Sequence, residues 1–96
     1  MTRVVVTEAA VGELRALIWS HRLPEDTVDR VRRSLRALED FPELGSPLGG
    51  AFTGRRFLLG PWRWMIMINR LYPERDLVAV LAIVDGRTST SPTANR

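Results

Sequence analysis

The groups in this chain that can do chemistry are few, and arginine dominates them. All 14 basic residues are arginines, lysine and cysteine are absent, and His21 is the single histidine. Schiff-base chemistry, a phosphate-loop lysine, thiol nucleophiles, thiolate zinc sites and disulfides are therefore excluded. One imidazole cannot make a histidine pair, so no metal and no cofactor is expected. What remains is a set of guanidinium groups that hold phosphates or carboxylates and stabilise developing charge but do not carry protons. Arg56, Arg63 and Arg87 stand out because each falls at or beside a predicted strand. The available proton carriers are His21, Tyr72, Glu74 and Asp85, and each has an ordinary structural explanation. His21 ends a helix stripe, Tyr72 sits by a Pro turn, and Asp85 precedes a Gly-Arg turn.

The net charge is +3, unevenly spread. Residues 1–43 carry seven arginines against eight acids, whereas residues 44–96 carry seven against three. A basic second half points to phosphates or an acidic partner. In the first half Asp26–Arg30, Asp29–Arg33 and Arg36–Asp40 are spaced i,i+4, the pattern of a solvated helix face rather than a nucleic-acid stripe.

The elements that must position these groups follow from periodicity. Arg3–Thr7 is short and β-branched and predicts a strand. Thr7 is placed as the N-cap of a helix, with Glu8 in its first turn and Ala10, Leu14, Leu17, Ile18 and His21 forming one stripe. Pro24 suits the first position of a second helix, whose stripe is Val28, Val31, Leu35 and Leu38, closed by Phe41. The short Ser20–Leu23 connection makes the two helices antiparallel. Residues 42–54 are rich in Gly and Pro and predict a loop. Strands are expected at Arg55–Leu59, Trp62–Leu71 and Leu77–Val84, the last an apolar run typical of a central strand. The fold class is α+β: strand, two helices, three strands, with a helix hairpin on one face of a mostly antiparallel sheet. Residues 1–87 are read as one domain and residues 88–96, small and polar, as a disordered tail.

A two-residue turn at Gly60-Pro61 pairs Leu59 with Trp62, Phe57 with Trp64 and Arg56 with Met65. Alternation then puts Phe57, Leu59, Trp62, Trp64, Ile66 and Ile68 on one face, expected to bury against the helices. Arg56, Leu58, Arg63, Met65, Met67 and Asn69 share the other. There Arg56 and Arg63 would be diagonal neighbours within reach of one anion, and Arg87 can join them. With Arg55 alongside, Arg56, Leu58, Arg63, Met65 and Met67 form the expected partner-binding face, methionine being suited to adaptable interfaces.

In this order the chain resembles the RelE/ParE superfamily of bacterial toxins from type II toxin–antitoxin modules. The resemblance spans roughly residues 3–87. It rests on the Val-Thr-Glu-Ala-Ala helix entry, Phe41-Pro42-Glu43-Leu44-Gly45, the Arg56…Gly60-Pro61-Trp62-Arg63 hairpin, and Val80-Leu81-Ala82-Ile83-Val84-Asp85-Gly86-Arg87. It implies a growth-arresting toxin with a cognate antitoxin, and one of two targets: DNA gyrase for ParE-like members, or ribosome-bound mRNA, which RelE-like members cut. Arg56, Arg63 and Arg87 look like the family's basic positions and would be catalytic only in a nuclease.

RelE-like nucleases usually add sheet lysines and an aromatic or histidine acid/base near the C-terminus, and this chain has neither. Cleavage through a 2′-hydroxyl needs a group to take that proton and another to protonate the leaving oxygen. The missing proton carriers favour a ParE-like, protein-binding toxin. Against it, Met65-Ile66-Met67-Ile68 stands where such members often carry a tyrosine. The alternatives are the ribosome-dependent endoribonuclease and an inactive member that only binds its antitoxin. Trp19, Trp62 and Trp64 could stack on bases, but packing is the better account for the latter two. Gly45, Gly49, Gly50 and Gly54 lack the lysine and setting of a phosphate loop. The apolar run Phe57–Ile68 is interrupted by Gly60, Pro61 and Arg63, too short for a span, so a cytoplasmic protein without membrane contact is expected.

Overall fold

The computed structural model describes residues 1–87; the predicted tail, 88–96, lies outside the described residues. β1 (Arg3–Val6) leads into α1 (Glu8–His21), followed by α2 (Thr27–Leu35) and a short α3 (Ala37–Asp40). β2 (Ser46–Pro47), β3 (Arg56–Leu59), β4 (Met65–Tyr72) and β5 (Leu77–Asp85) complete the chain. One sheet results, in the order β1-β5-β4-β3-β2, with β1 parallel to β5 and every other pair antiparallel. Helices cover one face, giving the α+β architecture expected. No helix among the described residues is long and apolar enough to cross a membrane.

Thr7 joins the helix layer to the sheet. Its hydroxyl caps α1 by accepting from Ala10 N–H (3.2 Å) and donates toward the carbonyls of Val80 (3.1 Å) and Leu81 (3.4 Å). An N-cap contributes about 1 kcal/mol, and here the same oxygen sets where α1 sits on β5. Beyond Val80, β1 has ended and β5 needs another partner for its backbone. Glu13 supplies one, its Oε1 accepting from Ile83 N–H at 3.1 Å.

The second helix begins three residues later than expected. Pro24 opens a turn, its carbonyl accepting from both the N–H (3.1 Å) and the hydroxyl (2.6 Å) of Thr27. Thr27 is fully buried and takes the inward place one turn before Val31, which leaves Val28 41% exposed. Val31, Leu35 and Leu38 are buried as expected, but Phe41 is exposed. Of the charge pairs, Arg30–Asp26 forms at 3.0 Å, and Asp29 meets Arg32 at 3.8 Å rather than Arg33.

The hairpin closes differently from the two-residue turn. Leu59 pairs with Ile66, Leu58 with Met67, Phe57 with Ile68 and Arg56 with Asn69. The connection runs from Gly60 to Trp64, held by Gly60 N–H to Met65 O (2.8 Å) and Met65 N–H to Trp62 O (3.0 Å). Two-residue hairpin turns need a positive φ, and Gly60 does not adopt one. Its lack of a side chain serves close approach instead, since a Cβ there would lie 2.7 Å from Met65 Sδ.

Four residues of slip preserve alternation, so Ile66 and Ile68 still share a face with Phe57 and Leu59. The assignment of that face to the helices is nevertheless reversed. Met65 and Met67, expected outside, are fully buried with Ala10, Leu14, Val31, Leu35 and Leu38. Ile66 and Ile68 form a second cluster under Leu48 and Phe52 of the Gly/Pro-rich segment. Trp62 and Trp64 pack on the helix-side core as expected, but from a connection where strand alternation does not apply. The face inverted because that segment itself supplies apolar cover, so both sides of the sheet could be apolar.

A bulge separates the two halves of β5. Ile68 pairs with Ala82 but Asn69 with Val80, leaving Leu81 as the extra residue. Val78 and Val80 face the helices before it, and Ile83 does so after it. Asp85, opposite the helix-facing Met65, therefore also points to the helix side.

Candidate functional site

The three arginines expected to converge lie on different elements. Arg56 stands opposite Asn69, six positions beyond Arg63, and its Nη1 donates to Gly45 O at 2.9 Å. Arg63 is exposed in the β3–β4 connection. Arg87 follows β5 and turns back on Asp85, Nε donating to Oδ1 at 3.0 Å and Nη2 to Oδ2 at 2.8 Å. The anion site of Arg56 and Arg63 as diagonal neighbours is therefore not formed, because the longer connection moves Arg63 out of the ladder. Of the expected partner-binding residues, Arg55 lies over the Phe52 ring (5.8 Å), Leu58 packs on the helix-side core, and Met65 and Met67 are buried.

A different constellation assembles where α1 ends and β5 leaves the sheet. His21 Nε2 lies 3.0 Å from Asp85 Oδ2, and its Nδ1 lies 2.8 Å from Ser20 Oγ. The imidazole stacks on Trp64, with ring centroids 4.6 Å apart and planes at 16°. Trp62 stacks on Trp64 in turn at 6.0 Å. Arg87 covers Trp64 at 5.0 Å and Arg30 covers Trp62 at 5.7 Å. Asp85 is the hub. Hydrogen bonds from the Arg87 side chain, joined by the Arg87 backbone N–H and His21, hold its carboxyl well below the usual carboxylate range against the opposing pull of burial.

With Asp85 ionised, the imidazole donates from Nε2 and leaves Nδ1 to the Ser20 hydroxyl. The row hydroxyl–imidazole–carboxylate can hold and relay a proton, while Arg87 neutralises the carboxylate and the His21–Asp85 contact ties α1 to the end of β5. Both donors Arg87 gives to Asp85 are withdrawn from any anion. In the sequence His21 and Asp85 each have a local structural role, and their meeting is not legible there, because the bulge at Leu81 decides which face Asp85 takes and no residue type announces it. Among the described residues no group of three metal-ligating side chains occurs.

The sheet face away from the helices has another character. Phe57, Ile66, Ile68, Ala82 and Val84 line it under Leu48 and Phe52. By alternation Arg70 and Tyr72 lie on it at the far end of β4, Arg70 5.3 Å above the Tyr72 ring.

No protein-family model matches the chain, and no curated protein matches its sequence. Solved structures do match. A chain of the RelBE2 toxin–antitoxin complex from Mycobacterium tuberculosis superposes with a TM-score of 0.66 at 21% identity. A chain of the chromosomal ParDE system from P. aeruginosa gives 0.69 at 15%, and one from the intact E. coli RelBE complex 0.66 at 12%. Each match covers 88% of this chain and 96% of the other. This chain therefore has the fold of these RelBE and ParDE chains, the RelE/ParE fold.

Proposed function

We propose that this chain is the toxin of a type II toxin–antitoxin module and that it arrests growth by binding a protein target, DNA gyrase, rather than by cutting mRNA. The observation that carries the reading is that two of the three arginines expected to hold phosphate are engaged within the fold, Arg56 by Gly45 O and Arg87 by Asp85. RNA cleavage asks for convergent phosphate-holding cations with a base and an acid beside them. Arg56 is spent on Gly45 O, and the His21–Asp85 couple lies on the helix side of the sheet. The resemblance to components of both RelBE and ParDE complexes supports the module and a cognate antitoxin; in this reading the antitoxin carries acidic and apolar residues and the toxin acts in the cytoplasm. The resemblance does not favour one target over the other.

Purified full-length protein is expected to inhibit supercoiling of relaxed plasmid by gyrase and to leave ribosome-bound mRNA intact. One observation favours the endoribonuclease reading: the relay of Ser20, His21 and Asp85 beside the Arg87 guanidinium. Unchanged gyrase activity, together with codon-phased mRNA breaks lost in Arg63→Ala or Arg87→Ala, would replace the first reading with that one. Strong expression without growth arrest would leave a member that only binds its antitoxin.

A further inference from the structure

Trp19 differs from the other two tryptophans. They are half-buried and stacked on each other, whereas Trp19 is 87% exposed on the outer side of α1. Nothing in the packing of α1 needs it there, because Ala10 and Leu14, with Leu17 and Ile18, meet the core. Arg15 lies one turn before it and Arg22 three residues after, both on its side of the helix. Neither guanidinium meets a carboxylate among the described residues, in contrast to Arg30, Arg32 and Arg87. Arg15, Ile18, Trp19, Ser20 and Arg22 together line an open concavity of about 690 Å³.

Arg22 adds an independent observation. It ends α1 in the left-handed region at φ 50° and ψ 51°, its N–H donating to Ile18 O and Trp19 O. This is the position that glycine fills at least cost. A bulky cation held there against its backbone preference directs attention to what its side chain does.

We propose that this face of α1 binds single-stranded nucleic acid, with one base stacked on the Trp19 indole and the flanking phosphates held by Arg15 and Arg22. An open indole accepts any base, and guanidinium groups pair with phosphate oxygens through parallel hydrogen bonds. Arg15 lies within α1 and Arg22 caps its end, roughly 10 Å further along the axis, a span their long side chains close onto the phosphates on either side of a single stacked nucleotide. The charge of the site is wholly positive, which suits a strand with one negative charge per nucleotide.

The test is fluorescence anisotropy of a fluorescein-labelled 15-mer of thymidylate, titrated with the full chain at 50 mM and 200 mM salt. Dissociation constants on the order of 1–100 μM are expected, weakening with salt. Trp19→Ala should weaken binding about tenfold, and Arg15→Gln should reduce the salt slope by about 0.7. Arg22→Gly separates binding from folding: it should raise the melting temperature by about 4 °C while weakening binding. Arg75→Gln, on the β4–β5 turn, should lower affinity no more than twofold. Absence of binding up to 1 mM protein, or unchanged affinity in Trp19→Ala, would overturn the proposal. So would full competition by equimolar free AMP, which would mark a mononucleotide site. Tighter binding of a labelled 15-residue polyglutamate would assign the face to a protein partner and overturn it too.

Discussion

Asn69 carries the sharpest test of the packing. It is fully buried on the helix-facing side of β4, and its Oδ1 has no hydrogen-bond partner. Its Nδ2 reaches Met67 O only at 3.5 Å, the limit of a useful bond. The residue sits opposite Arg56 on β3 and Val80 on β5, where the Leu81 bulge rejoins the ladder. A buried carbonyl left unpaired costs about 1–3 kcal/mol. Leucine keeps the branched heavy-atom skeleton and has no polar group to satisfy, although its two methyl groups are bulkier. Asn69→Leu should therefore stabilise the fold by about 1–2 kcal/mol, what remains of that penalty once the larger side chain is accommodated. At 4–8 °C per kcal/mol for a domain of this size, the melting temperature should rise by roughly 5–15 °C. Urea melts read by circular dichroism should show a higher midpoint at constant slope, because the exposed surface is unchanged. A destabilised variant would refute the reasoning, showing that Oδ1 is satisfied and that the amide holds the bulge together.

The reversed face of the sheet is tested by Met67→Ala, expected to cost about 2–5 kcal/mol by opening a cavity in the helix-side core; a change below about 0.5 kcal/mol in urea melts would restore Met67 to the surface. Gly45→Ala should lose about 1–3 kcal/mol, since a Cβ there would stand 2.7 Å from the Phe57 carbonyl oxygen, and the loss should appear as a lower urea midpoint. The Asp85 carboxyl is depressed in the folded state, so its contribution is fully present above the ordinary value of 3.8 and is lost progressively as pH falls below it. Asp85→Asn should flatten the acid limb of a stability-versus-pH curve in that window, and an unaltered acid limb would show that the Arg87 and His21 contacts do not stabilise the fold.

Much of the architecture was legible along the chain. The Thr7 cap, the α1 stripe ending at His21, the inward Val31, Leu35 and Leu38, and the central β5 run all rest on local periodicity and capping, which short-range sterics and hydrogen bonding enforce. The grouping of strand residues into two faces was legible for the same reason, since alternation survives an even slip. What periodicity could not supply was which group faces the helices. Met65, Met67, Ile66 and Ile68 are all apolar, so the pattern is symmetric, and only the docking of Leu48 and Phe52 on the isoleucine side breaks it. The place of Arg63 depended on the length of the connection after Gly60, which the register of β3 on β4 sets. Likewise, Asp85 meets His21 because one extra residue at Leu81 rotates the end of β5, a choice made by Thr7 and the β4 ladder together.

The amino-acid order by itself determined the elements, their succession and the poverty of proton carriers, because these depend on residue type and on neighbours within a few positions. Tertiary packing decided the buried face, the separation of the arginines and the union of His21 with Asp85, because each is set by contacts between segments dozens of residues apart.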